Sequence, residues 1–125
     1  MKLGLITAIC EGMTFEETVD FAAETGIECL EVACWPNFGA KRRYAGVSHI
    51  DAAALTQEKA EEIQAYCKVK GVEISSLAYY PNTLDPDLEK RQLYIDHIHK
   101  LIDASAMLGV NMVTTFLGRV PDKTV

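Results

Sequence analysis

Between residues 32 and 51 the sequence gathers its single tryptophan, Trp35, three consecutive cations, Lys41-Arg42-Arg43, a tyrosine and His49. A turn needs none of these side chains. Their types suit the grip of a polar ligand: an indole offers an apolar wall to a sugar face, and a guanidinium holds a phosphate or carboxylate bidentately. Blander roles stand beside these. Trp35 also suits a plug under a long loop, and Arg42 and Arg43 suit a solvated face. His49 suits a hydrogen bond to a substrate hydroxyl, or a polar contact closing the loop. No second ligand stands at metal spacing from it.

Four further positions join this set. Glu31 falls in mid-strand, where its alternation with Cys29 and Ala33 points it away from the helices, toward a polar site, a cation or a structural partner. Tyr79 and Tyr80 are adjacent, so one should face the strand ends and the other the helices. Asn82 reads as a turn residue or a ligand contact. Arg119 follows the last strand. The candidate substrate-binding set is therefore Glu31, Trp35, Arg43, His49, Tyr80, Asn82 and Arg119, with no residue identified as catalytic and none as a metal ligand. His97 and His99 read as helix surface.

The elements that must position these residues alternate regularly. Strands are expected over residues 2–8, 27–33, 72–78 and 110–116. Thr14 with Glu17 forms a capping box that starts a helix, whose inward face is Phe15, Val19, Ala22 and Ala23. Thr56 starts a second helix, facing inward with Ala60, Ile63 and Cys67. A third runs from about Asp87 to Leu108, with Leu88, Tyr94, Ile95, Ile98, Leu101, Ile102, Ser105 and Leu108 inward. Gly26, Gly71 and Gly109 stop the three helices, and each opens the next strand: "ETGIECLEV", "VKGVEISSL", "MLGVNMVTT". Helices between apolar strands imply right-handed crossovers and a parallel sheet. The chain reads as one α/β domain.

Bulk properties narrow the classes. The 125 residues are 49% hydrophobic and 24% charged, as in a soluble globular protein. A net charge of −6 argues against nucleic-acid binding by a basic field. No apolar run reaches the ~20 residues of a membrane span, and the N-terminus lacks the pattern of a signal peptide. The four cysteines show no tight metal spacing, so a cytoplasmic protein with reduced thiols is expected.

The order CLEVACWP, RRYAGVSHID, VEISSLAYYPNTLDPD and TTFLGR resembles the N-terminal half of the sugar phosphate isomerase/epimerase family, the xylose isomerase-like TIM barrels. It departs from the usual strand-four ending at Thr114 and Val120, where an Asn and an acid are common. The resemblance implies half of a TIM (β/α)8 barrel, which needs about 250 residues when whole. It also implies a divalent metal (Mn, Mg, Zn or Co) and proton transfer beside a sugar carbonyl. The family's metal ligands and acid–base glutamates come from later strands, so none maps onto this chain. Two readings follow: the substrate-binding half of a metal-dependent sugar or sugar-phosphate isomerase or epimerase, or a non-catalytic half barrel that binds a small polyol or self-associates. The expected partner is a small carbohydrate, together with a second copy of the chain or a missing C-terminal half.

Overall fold

The computed structural model describes residues 1–36 and 46–120. Four parallel strands, β1 (Gly4–Ile6), β2 (Cys29–Ala33), β3 (Glu73–Ala78) and β4 (Val113–Thr114), lie side by side in chain order. Helices α1 (Phe15–Thr25), α2 (Gln57–Lys70) and α3 (Leu88–Met107) connect them, and a short 3-10 turn at Thr7–Ile9 follows β1. This is a (β/α)4 unit, half of a TIM barrel. The strands are shorter than the apolar runs predict, above all at the edges, where β1 and β4 pair on one side only.

Local chemistry starts and stops the helices as the sequence requires. Thr14 Oγ1 accepts from Glu17 N–H, and the Glu17 carboxylate accepts from Thr14 N–H at 2.7 Å. At the start of α2 Thr56 Oγ1 accepts from Lys59 N–H, and at the start of α3 Asp87 Oδ1 accepts from Glu89 and Lys90 N–H. Gly26 and Gly71 close α1 and α2 in the left-handed region, at φ 78° and 70°.

The core lies between the helices and one face of the sheet. Leu30 and Val32 of β2, Leu77 of β3, Val19 and Ala22 of α1, Ala60 of α2 and Leu101 of α3 are all fully buried. Each of the larger side chains stabilises the fold by about 1.5–3 kcal/mol. Several expected inward positions differ. Ala23, Leu88 and Ile102 are exposed, and Thr18 is buried where Ala23 was expected, its hydroxyl donating to the Thr14 carbonyl. His97, expected at the surface, is buried: α3 turns a stripe of His97, Leu101, Ala104 and Ser105 inward. Apolar periodicity alone passes over a polar residue on that stripe.

The β2–β3 ladder carries one irregularity. Leu30 pairs with Ile74 but Glu31 pairs with Ser76, so Ser75 is the extra residue of a bulge. Its hydroxyl donates to the Leu30 carbonyl at 3.0 Å. On the outer surface Asp20 of α1 accepts from Tyr66 of α2 at 2.8 Å and pairs with Lys70 at 2.6 Å, clamping the two helices together.

Replacing Thr14 with Ala is expected to lower stability by about 1 kcal/mol through loss of the cap. Urea unfolding followed by circular dichroism measures it.

Candidate functional site

The C-terminal strand ends collect the side chains that the sequence singled out. Glu31 points away from the helices, because Leu30 and Val32 on either side of it are in the core. The bulge brings Ser76 opposite, and its hydroxyl donates to Glu31 Oε2 at 3.2 Å. Tyr80 donates its phenol to Glu31 Oε1 and also lies 3.1 Å from Thr114 Oγ1. Strands β2, β3 and β4 are thus tied across the mouth by one carboxylate and three hydroxyls. Burial and the neighbouring Glu31 carboxylate both raise the Tyr80 phenol above its ordinary pKa of 10.0.

The adjacent tyrosines do split between the two sides. Tyr79 is buried against the helices, edge-on to His97 at 4.9 Å between centroids and to Tyr94 at 6.5 Å. His97 Nε2 donates to the Cys34 carbonyl at 2.8 Å, fastening α3 to the end of β2. Trp35 stands between the two sets, 5.6 Å from Tyr79 and 5.8 Å from Tyr80, while Tyr80 also packs on Phe116 at 4.6 Å. Trp35 is half-buried and keeps part of its surface exposed at the end of β2. Thr114, Ser76 and Phe116 were absent from the candidate set. The signal for them was alternation continued past the strand ends from Glu31 and Tyr80.

Asn82 is committed to the protein itself. Its Oδ1 accepts from Arg119 N–H at 2.8 Å and its Nδ2 donates to the Arg119 carbonyl at 3.0 Å, as a neighbouring strand would. Thr83 Oγ1 donates to the Leu117 carbonyl beside it. These bonds lock the loop after β3 to the segment after β4 and fix the position of Arg119 on the rim. Its side chain forms no ion pair with any described residue.

His49 returns to the mouth beside β2. Its N–H donates to the Ala33 carbonyl at 2.9 Å, and Cys34 bridges to Ser48. Its Nδ1 is buried without a hydrogen-bond partner. Burial pushes the imidazole below its usual 6.5, against the opposing pull of the Cys10 and Met13 carbonyls. Arg43, with Lys41 and Arg42, lies outside the described residues. The thiols of Cys34 and Cys67 are poor nucleophiles: desolvation drives Cys34 up to about 12 and Cys67 up to about 11.

Among the described residues, no three His, Cys, Asp or Glu side chains come together to hold a metal ion. Both oxygens of Glu31 are engaged by hydroxyl donors. This donor set does not fit the divalent ion that the sequence resemblance implies.

Comparison with known proteins places these observations. The family described as xylose isomerase-like TIM barrel matches residues 19–125. No curated protein matches the chain. Among solved structures, D-psicose 3-epimerase from Clostridium cellulolyticum, with D-tagatose, superposes at TM-score 0.64 and 17% identity, covering 100% of this chain and 42% of that one. A sugar phosphate isomerase/epimerase from Parabacteroides distasonis does so at 0.55 and 21%, covering 95% and 40%. The probable 3-DHS dehydratase of Bacillus anthracis gives 0.59 and 24%, covering 93% and 38%. The likeness is one of fold, and the chain spans about two-fifths of the length of these structures.

Two outcomes test the geometry. Gly118 sits at φ 85°, and a Cβ there would stand 2.0 Å from Asn82 Oδ1. Gly118→Ala should therefore break the Asn82–Arg119 lock and cost about 1–3 kcal/mol, read by thermal unfolding. His49 takes up its proton less readily folded than unfolded. Its contribution is fully present above about pH 6.5 and declines as pH falls below that value toward the folded pKa. His49→Gln should flatten that slope in denaturant titrations across the range.

Proposed function

The chain belongs to the xylose isomerase-like TIM barrel family, and from that membership we propose that its mouth binds a small polyhydroxylated carbohydrate which these residues alone do not turn over. The observation that carries the proposal is the cluster of Glu31, Ser76, Tyr80 and Thr114 beside the rings of Trp35 and Phe116. A sugar presents hydroxyls that both donate and accept, on a ring whose C–H faces are apolar. A carboxylate and hydroxyls on one side, with aromatic surface on the other, match both properties.

The remaining candidates take places around this centre. Trp35 walls the ligand, and Glu31 accepts from its hydroxyls in exchange with Ser76 or Tyr80. His49 and Arg119 stand on the rim, and Arg43 is kept in the proposed set on its residue type alone. Asn82 acts by holding the Arg119 segment in place. The chain is one domain, and its four free cysteines support a reducing, cytoplasmic setting.

A second reading keeps the same pocket. In a longer polypeptide this unit is the substrate-binding half of a divalent-metal-dependent isomerase or epimerase, with the metal ligands and the proton-transferring carboxylates on other strands. The family membership favours it, whereas the donor set of the described residues favours the binding reading.

Isothermal titration with D-fructose and D-tagatose, with and without MnCl2, tests the proposal. Saturable binding is expected without conversion of either sugar by NMR. Trp35→Ala should weaken binding about tenfold, equivalent to roughly 1.4 kcal/mol. Absence of binding, or binding unaffected by Trp35→Ala, overturns the site, and conversion with Mn²⁺ overturns the claim of no turnover.

A further inference from the structure

We propose that His97 is a positioning residue for the mouth: by drawing the Cys34 carbonyl out of the sheet it ends β2 and sets the place of Trp35. Its consequence for ligand affinity rests on the carbohydrate reading above, whereas the placement of Trp35 does not.

Helix α3 turns His97 inward on the same stripe as Leu101 and Ala104, and the residue is only 5% exposed. A polar ring in that core needs a partner. It takes one at a single point of the sheet, the Cys34 carbonyl, at 2.8 Å. In a strand the N–H and C=O of one residue point to the same neighbour. The Cys34 N–H obeys this, donating to the Ala78 carbonyl beside it at 2.9 Å. Its carbonyl does not. The acceptor that a longer β2–β3 ladder would offer to the Tyr80 N–H goes instead to α3. There the chain changes partners. Trp35 N–H donates to the Val47 carbonyl at 3.3 Å, His49 N–H donates to the Ala33 carbonyl, and Cys34 forms an antiparallel bridge with Ser48.

A second contact runs beside the first. His97 meets Tyr79 edge-on, with centroids 4.9 Å apart and planes at 81°, and Tyr79 meets Trp35 edge-on at 5.6 Å and 89°. The imidazole thus reaches the indole by two routes, through the peptide that joins Cys34 to Trp35 and through the Tyr79 ring. Cys34 and Tyr79 are both buried, so a shift at His97 is passed on to Trp35. Removing the donor leaves a buried carbonyl unpaired. The Tyr80 N–H satisfies it only by extending the ladder, which draws Trp35 from its place beside Tyr79 and Tyr80.

Trp35 is the only tryptophan, so its fluorescence reads its surroundings alone. His97→Leu keeps an apolar-sized side chain on the helix and removes the donor. It should leave far-ultraviolet circular dichroism unchanged and shift the Trp35 emission. It should weaken D-fructose or D-tagatose binding about tenfold, as Trp35→Ala does, and add no further loss to Trp35→Ala. His97→Gln, whose amide N–H reaches as far as Nε2, should restore emission and affinity. Gly71→Ala, which strains the stop of α2 at the opposite end of the sheet, should change neither. The unmodified chain supplies a reading that needs no variant: a carbonyl only accepts, so long-range proton–nitrogen NMR should find the His97 proton on Nε2. Unchanged emission or unchanged sugar affinity in His97→Leu, failure of His97→Gln to restore them, the same changes in Gly71→Ala, or a proton on Nδ1 alone overturns the proposal. Absence of sugar binding by the unmodified chain overturns the carbohydrate reading alone, and the emission and NMR arms then decide the role of His97.

Discussion

The bulge between β2 and β3 governs what the mouth contains. One extra residue, Ser75, moves the partner of Glu31 from Ser75 to Ser76. Side chains alternate across a strand, so this single step decides which serine hydroxyl reaches the carboxylate. It also sets the phase in which Tyr79 turns to the helices and Tyr80 to the open side. A regular ladder would put Ser76 and Tyr80 on the core side and leave Glu31 without these partners. An unpartnered carboxylate in a half-buried place is costly. The bulge and the hydroxyl cluster are therefore one feature, and Ser75 secures it by donating to the Leu30 carbonyl.

Around that feature the structure divides the polar side chains into those that hold the frame and those left for a ligand. His97 and Asn82 belong to the frame. One fastens α3 to the end of β2, and the other joins the β3 and β4 loops through a pair of hydrogen bonds to a backbone. Trp35, Phe116, Arg119 and the Glu31 cluster keep part of their surface exposed at the strand ends. Rigid support beneath an accessible polar and aromatic rim is what a pre-organised binding site requires. The opposite end of the sheet is built from glycine-terminated helix ends and short turns. That asymmetry was legible in the letters.

Much of the fold was legible for local reasons. Thr14 with Glu17, Thr56 and Gly26 announced helix boundaries because capping and left-handed stops act within four residues. The alternation of Glu31 with Cys29 and Ala33 pointed the carboxylate away from the helices, and the burial of Leu30 and Val32 agrees. Ala23, Leu88 and Ile102 were misplaced because a helix buries only the part of its apolar stripe that has a neighbour. On α1 the buried width extended to Thr18, whose hydroxyl is satisfied within the helix. His97 was misplaced because its partner, the Cys34 carbonyl, is far away in the chain and invisible to any periodic pattern.

The sequence by itself determined the element order, the parallel sheet, the family and the end at which polar and aromatic side chains collect. Each of these follows from interactions among near neighbours or from a repeat of such interactions. Only the tertiary structure decided which hydroxyls hold Glu31, that Asn82 is bonded to the Arg119 backbone, and that Trp35 stands between Tyr79 and Tyr80. Those outcomes depend on register across strands and on backbone groups brought together from distant positions, and neither leaves a local mark in the order of residues.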